Sequence, residues 1–274
     1  MPLKCCLWTA SSRVIGCIKM AQIIDTHAHY TDEAFDEDRL ALLAEMPQKG
    51  VSHIVTAGSG MGSSAMAVEL SHRFPFVYAA VGIHPGELDD ITEEYTAQLA
   101  TWYADEKVVA IGELGLDYHY EDGFPRELQL QRLEQQLQLA KELDAPVIFH
   151  DRDAHADTLE ILKKYRPKGV VHCFSGSAEM AQEIVALGMY IGLGGVVTFQ
   201  NSRKTVEVAQ MIPMDRLLLE TDAPYMTPVP FRGRRNDSQM IRFVAARIAE
   251  LRSMTADDVL AITTDNAKRL FNIS

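Results

Sequence analysis

No stretch of eighteen consecutive apolar residues occurs in the chain, so the sequence predicts no membrane-spanning helix. Cysteine is scarce and poorly spread for a disulfide framework. Of four cysteines, Cys5, Cys6 and Cys17 crowd the first twenty residues and only Cys173 lies in the body, a usage that fits a reducing compartment. Positive charge is in deficit as well. A formal net charge of −12 argues against a protein that grips nucleic acid with its whole surface. Bound divalent cations and a few arginines could still make one mouth locally positive. No linker rich in Pro, Gly or Ser divides the 274 residues. The first convincing strand also lacks the Gly-rich phosphate loop that follows it in open nucleotide-binding sheets.

The opening segment carries Lys4 and a short apolar patch that Arg13 interrupts, with no small-x-small cleavage site behind it, so a secretory signal is not expected. Met20 stands directly before the first strand, and a start there would give a complete domain. The expectation is a leader over residues 1–19, disordered or dispensable, and one domain over residues 20–274.

What is present is ordinary globular composition, 47% apolar and 23% charged, arranged as short apolar runs alternating with amphipathic stretches. The runs are Ala21–Asp25, Val51–Gly58, Val77–His84, Val108–Asp117, Pro146–Asp151, Gly169–Gly176, Tyr190–Phe199 and Leu217–Pro224. Each is rich in Val, Ile and Leu and too short for a typical helix, as expected of strands buried on both faces. Between them, Arg126–Asp144 repeats Leu130, Leu133, Leu137 and Ala140 at helical spacing. Ser63–Phe74, Glu93–Tyr103, Ala154–Tyr165, Ala178–Leu187, Arg203–Met211 and Ser238–Leu251 read similarly, and Thr255 to Asp258 resembles a capping box opening a further helix. Eight strands alternating with helices over about 250 residues predict an α/β fold, a single (β/α)8 TIM barrel.

Catalytic groups of such a barrel come from the C-terminal ends of its strands. Five of the nine histidines fall there: His27 and His29 on the first strand, His84 on the third, His150 on the fifth and His172 on the sixth. Glu113 lies on the fourth, and Glu220 and Asp222 end the eighth. His27 and His29, two residues apart, share a strand face. Each residue alone has a bland reading: a polar loop start, a satisfied core histidine, a helix cap, half of an ion pair. Jointly those readings demand several unrelated buried polar groups at one end of one barrel, each unfavourable without a partner. Imidazoles and carboxylates together make sites for divalent metals. About six ligands exceed one tetrahedral ion, so two metals sharing a bridging carboxylate are expected, with Glu113 the natural bridge. His53, His72 and His155 read as structural or surface residues, and His119 lies near the mouth outside strand geometry.

These residues form a pattern. Asp25-Thr26-His27-Ala28-His29, Gly82 to Pro85, Gly112 to Tyr118, Pro146 to His150, His172 to Gly176 and Leu219 to Tyr225 resemble the motifs of the TatD family of metal-dependent deoxyribonucleases. Arg232 to Asn236 and Thr264 to Ala267 resemble that family's C-terminal motifs, and the likeness runs in order from about Ala21 to the end. Asp237-Ser238 stands where the family often has Glu-Pro, and Asp151 where serine is common. Residues 1–20 match nothing in it. Many related barrels bridge their metals with a carbamylated lysine on the fourth strand. This chain has none there, since Lys107 precedes it.

The resemblance implies a TIM-barrel hydrolase holding two divalent cations, Mg, Mn or Zn. His27, His29, Glu113 and Asp222 would hold one, and Glu113, His150 and His172 the other. Asp222 would orient the attacking water and take its proton, with Glu113 the second catalytic residue. His84, Glu220, Arg232 and Arg234 are the expected substrate-binding residues. The expected activity is 3′-to-5′ exonuclease cleavage of single-stranded or short DNA, or of RNA, by a cytoplasmic monomer or small homo-oligomer with no membrane partner. Two other classes remain: a barrel metallohydrolase acting on esters or amides, such as a D-aminoacyl-tRNA deacylase, and a non-catalytic binding barrel.

Overall fold

A computed structural model describes residues 22–89, 91–92 and 94–274; the leader expected over residues 1–19, and its boundary at 20, lie outside them. The eight strands are β1 (Ile23–Ala28), β2 (Val51–Ala57), β3 (Val77–Val81), β4 (Val108–Asp117), β5 (Val147–Arg152), β6 (Gly169–Val171), β7 (Tyr190–Leu193) and β8 (Leu217–Leu219). They form one sheet in sequence order, with every neighbouring pair parallel. β8 returns beside β1 through a single bridge, Ala28 to Ala223, supported by His29 N–H donating to Ala223 O at 2.7 Å and Asp222 N–H to His27 O at 3.0 Å. The expected (β/α)8 barrel is the fold.

The helices are α1 (Arg39–Glu45), α2 (Met61–Arg73), α3 (Tyr95–Tyr103), α4 (Arg126–Glu142), α5 (His155–Tyr165), α6 (Ala178–Ala186), α7 (Arg203–Met211), α8 (Ile241–Arg252) and α9 (Ala256–Phe271). α9 starts where the sequence signals it, with the Thr255 hydroxyl accepting from Asp258 N at 3.1 Å. No described helix is long and apolar enough to cross a membrane.

Two apolar layers follow from strand alternation. Ile54, Val77, Val108, Val147, Phe149, Val171 and Leu217 pack with the helices, whereas Ile24, Val55, Ala80, Ile148, Val170 and Leu218 fill the barrel interior. Phe271, the last residue of α9, and Ile273 just beyond it belong to the interior cluster. Burying a side chain of that size contributes roughly 1.5–3 kcal/mol. The close β4–β5 pairing needs Gly115, at φ +153°, because a side chain there would collide with the His150 carbonyl.

The strands expected to run to Gly176, Phe199 and Pro224 end sooner, at Val171, Leu193 and Leu219. His172, Glu220 and Asp222 therefore lie just past the ladder rather than in it. Beyond those points the polar residues turn their backbones to aim side chains at one centre. Asp222 (φ +56°) and Cys173 (φ +42°) adopt the left-handed region there, at roughly 1–2 kcal/mol per non-glycine residue.

Candidate metal centre

Each candidate ligand on β5 and after β6 stands one pleat above an interior apolar residue. Ile148 is followed by His150 and Val170 by His172. Leu218 likewise precedes Glu220 and Asp222 on the eighth strand's track. Alternation thus turns an apolar barrel floor into a polar barrel mouth.

The β1–β8 junction is fixed by side chains. The buried Asp25 carboxylate accepts from Thr221 N (3.0 Å), Thr221 Oγ1 (2.6 Å) and Ser238 Oγ (2.6 Å). Asn236 Nδ2 donates to Thr221 O at 2.9 Å and Tyr225 O at 2.7 Å, bracing the turn that carries Asp222. Ser238, a departure from the family's usual proline, is thereby part of the brace. Asp151, the other departure, points outward to His155 Nδ1 at 2.7 Å.

At the mouth, the two oxygens of Glu113 face different groups. Oε2 lies 3.4 Å from His27 Nε2 and 3.3 Å from His29 Nε2, and those nitrogens lie 3.6 and 3.4 Å from Asp222 Oδ1. Oε1 lies 2.8 Å from both His150 Nδ1 and His172 Nε2, themselves 3.2 Å apart. The expected ligands His27, His29, Glu113, His150, His172 and Asp222 are thus all brought together, with Glu113 between two sets.

Tautomers are set from outside the centre. His29 Nδ1 faces Ala57 O at 3.2 Å and His150 Nε2 faces Asp117 Oδ2 at 3.3 Å. A proton on each of those atoms leaves His29 Nε2 and His150 Nδ1 as lone pairs aimed at carboxylate oxygens. Acceptors opposed at such distances repel unless a positive charge lies among them. Four ligands around an ion at about 2.0–2.1 Å stand roughly 3.3 Å from one another. The first set matches that spacing, and the donor chemistry suits a divalent cation.

Protons are the other way to supply that charge. Burial disfavours charge on His150, yet hydrogen bonds to Asp117 and Glu113 raise it to about 9. Burial likewise opposes charge on His29, but Asp222 and Glu113 hold it well above its usual value, and Glu113 raises His172 against its burial. Burial would raise Glu113, but the surrounding imidazoles, His172 and His27 foremost, hold it well below the carboxylate range. Asp222 is lowered despite burial, chiefly by His29. Burial brings His27 down to about 4.

At pH 7 a cation must therefore displace protons from these imidazoles. Its affinity is expected to strengthen as pH rises towards 9, by about tenfold per unit for each proton released. In chelated protein, the stabilisation from His150 is complete below its unfolded value of 6.5 and is lost as pH climbs through about 9. Chelated protein should lose thermal stability over that window while cation-loaded protein gains it. Thermal unfolding from pH 6 to 9.5, with and without chelator, checks this, and parallel curves would contradict it.

Sequence reasoning missed Asp117. It lies on β4 at the same parity as Glu113, which is the signal that could have found it. Buried Gln129 on α4 clasps the Asp117 backbone, accepting from its N–H at 2.9 Å and donating to its carbonyl at 2.8 Å. Asp117 holds the far nitrogen of His150 as carboxylates hold metal-binding imidazoles elsewhere. Asp117→Asn should weaken cation binding or activity about 10- to 100-fold, and calorimetric titration with Mn2+ would show it.

The expected substrate-binding residues fall in different places. His84 Nε2 is 3.7 Å from Glu113 Oε1, and its Nδ1 accepts from Gly86 N at 2.9 Å. Burial lowers His84 to about 3, so it is neutral, with its proton on Nε2 facing the mouth. Glu220 is fully buried and stands behind His172, 3.8 Å from its Nδ1, accepting from Cys173 N–H. A side chain at Gly192 would collide with it. Glu220 therefore stands out of a substrate's reach, in position to orient His172. Arg232 lies 3.8 Å over the Phe199 ring and Arg234 5.7 Å over Phe231, both exposed on the loop after β8. Arg235 is held by Asp38 at 2.6 Å. His53, His72 and His155 meet Ser52, Asp105 and Asp151, and His119 meets Asp153; none of the four belongs to the donor sets.

Comparison with known proteins agrees with this architecture. A family model described as "TatD related DNase" matches residues 24–272. A metal-dependent hydrolase of Bacillus subtilis, YabD, is 45% identical, with 92% of this chain and all of that protein covered. A Cronobacter sakazakii protein named 3′-5′ ssDNA/RNA exonuclease TatD is 34% identical, covering 91% of this chain and 97% of its own. The crystal structure of YjjV, a TatD homologue of Escherichia coli, superposes with a TM-score of 0.86 at 37% identity, covering 93% and 99% of the two chains. The chain belongs to the TatD-related DNase family and is a metal-dependent hydrolase.

Proposed function

We propose that the protein is a two-metal deoxyribonuclease that removes nucleotides from the 3′ end of single-stranded or short DNA, or RNA. The observation that carries this reading is Glu113, which offers one oxygen to each of two donor sets. Two adjacent cations suit in-line displacement at a phosphodiester. The activity in the Cronobacter relative's name supports the substrate and direction.

Divalent cations bound there would offset charge on the phosphoryl oxygens and lower the pKa of a nearby water. The residues do the rest. Asp222 Oδ1 faces the imidazoles of His27 and His29, leaving Oδ2 to orient the attacking water and accept its proton. Asp222 is held ionised despite burial, so it can act as the general base. His84 Nε2–H donates to a phosphoryl oxygen. Arg232 and Arg234, backed by aromatic rings, seat substrate phosphates. Imidazole-rich donors favour Mn or Zn over Mg, which prefers oxygen ligands.

Cleavage of an end-labelled single-stranded oligonucleotide tests the reading. Stepwise shortening from the 3′ end, abolished by chelator, is expected. Replacing Arg232 and Arg234 together by alanine should raise KM for the oligonucleotide about tenfold or more, with little change for a carboxyl ester. Efficient ester hydrolysis without oligonucleotide cleavage would overturn it in favour of an ester or amide hydrolase.

A further inference from the structure

Arg152 ends β5, two residues beyond His150, and so shares its inward face. It pairs in register with Asp117, and its charge acts on both Asp117 and Cys173, which flank the centre. Two other surface arginines are committed to carboxylates, Arg126 to Asp157 and Arg235 to Asp38. Among the described residues, the one side-chain hydrogen bond of Arg152 is different: Nη1 donates to Tyr120 Oη at 3.0 Å.

Tyr120 lies three residues past the end of β4, and 58% of it is exposed. Its ring does not hang loose. The Arg152 guanidinium lies 5.0 Å from its centroid, and His119 meets it edge-on at 5.0 Å and 83°. His119 is in turn anchored to Asp153 at 2.7 Å. An exposed aromatic ring held in one orientation, beside a guanidinium with donors to spare, is the combination used to hold unpaired nucleotides: the ring stacks a base and the cation meets a phosphate.

We propose that Tyr120 and Arg152 form a nucleotide subsite on the β4–β5 side of the mouth. Tyr120 stacks the base of the nucleotide adjoining the scissile phosphodiester, and the remaining Arg152 N–H groups hold its phosphate. The subsite rests on the nuclease reading above and deepens it. It makes the enzyme select for unpaired ends, because a base inside a duplex has no free face to stack. The acidic body of the protein needs no broad basic groove when one ring and one guanidinium capture the terminal nucleotide.

The test compares single-stranded oligonucleotides with normal and with abasic 3′-terminal nucleotides, cleaved by wild type, Tyr120→Ala, Tyr120→Phe and Arg152→Lys. Wild type should prefer the normal end by roughly 5- to 150-fold in kcat/KM. Tyr120→Ala should bring that preference close to one, mainly through KM, while Tyr120→Phe, which keeps the ring, retains most of it. Arg152→Lys should raise KM for both substrates, because lysine cannot reproduce the planar fork. Unchanged metal content and unfolding temperature in Tyr120→Ala would show that the centre is intact. Cleavage by wild type with the base preference preserved in Tyr120→Ala would overturn the subsite and leave the nuclease reading standing. Failure of wild type to cleave either oligonucleotide would overturn both.

Discussion

Glu113→Gln should lower hydrolytic turnover by about a thousandfold or more and leave the protein with fewer than its full complement of cations. Glutamine keeps the volume of the side chain, so cavity effects do not enter. What it removes is one of the two oxygens, and each oxygen of Glu113 faces its own set of donors. Whichever way the amide turns, an NH2 group faces a place where a cation needs a lone pair. The substitution also removes a carboxylate that holds His150 and His172 above the usual imidazole range. The stability of chelated Glu113→Gln should therefore vary less with pH between 6.5 and 9 than that of chelated wild type. Metal analysis beside steady-state kinetics checks the first part. Full cation occupancy with near-normal turnover would show that Glu113 does not join the sets.

Asp222→Asn should reduce kcat by about 10²- to 10⁴-fold and alter KM far less. Asparagine still presents an oxygen towards His27 and His29, but it cannot accept a proton. The loss therefore separates the proton-transfer role of Asp222 from its place among the donors. If Asp222 were only a ligand, cation affinity and turnover would fall together. If it is the base, turnover falls while cations are retained. Its left-handed backbone and the brace from Asp25, Thr221 and Asn236 hold it in place in either variant. A cation titration run with single-turnover cleavage distinguishes the cases, and unchanged cleavage would remove Asp222 from the mechanism.

The barrel and the donor set were legible in the sequence because both follow from local pattern. Short Val/Ile/Leu runs identify strands buried on both faces, and polar residues at their ends identify the mouth. Local pattern says less where the backbone leaves a regular path. β6, β7 and β8 end earlier than their apolar runs do, because a run such as Gly169 to Gly176 carries no mark showing where pairing stops and the turn to the site begins. The short helix α1 has no clear signal in the sequence. Asp38 forms no side-chain cap for it, and the run Leu40 to Leu43 lacks a clear helical period.

Support residues were harder still. Gln129 and Gln136 are buried on α4, where a glutamine usually reads as a solvent-facing residue. Each clasps backbone at the mouth end of a strand: Gln129 at Asp117, the last residue of β4, and Gln136 at Ile83, just past β3 and beside His84. Only the tertiary placement of α4 shows this. The family resemblance places Glu220 among the substrate-binding residues, but the structure sets it elsewhere. Alternation sends Glu220 and Asp222 along the interior track, but the deeper of the two ends up enclosed behind His172.

Whether Glu113 joins two cation sites can be read from electron paramagnetic resonance of protein reconstituted with Mn2+. Two ions per chain with an exchange-coupled spectrum are predicted, giving way in Glu113→Gln to the signal of isolated ions. A single ion per chain, or two that show no coupling in the wild type, would mean that Glu113 does not bridge two cations.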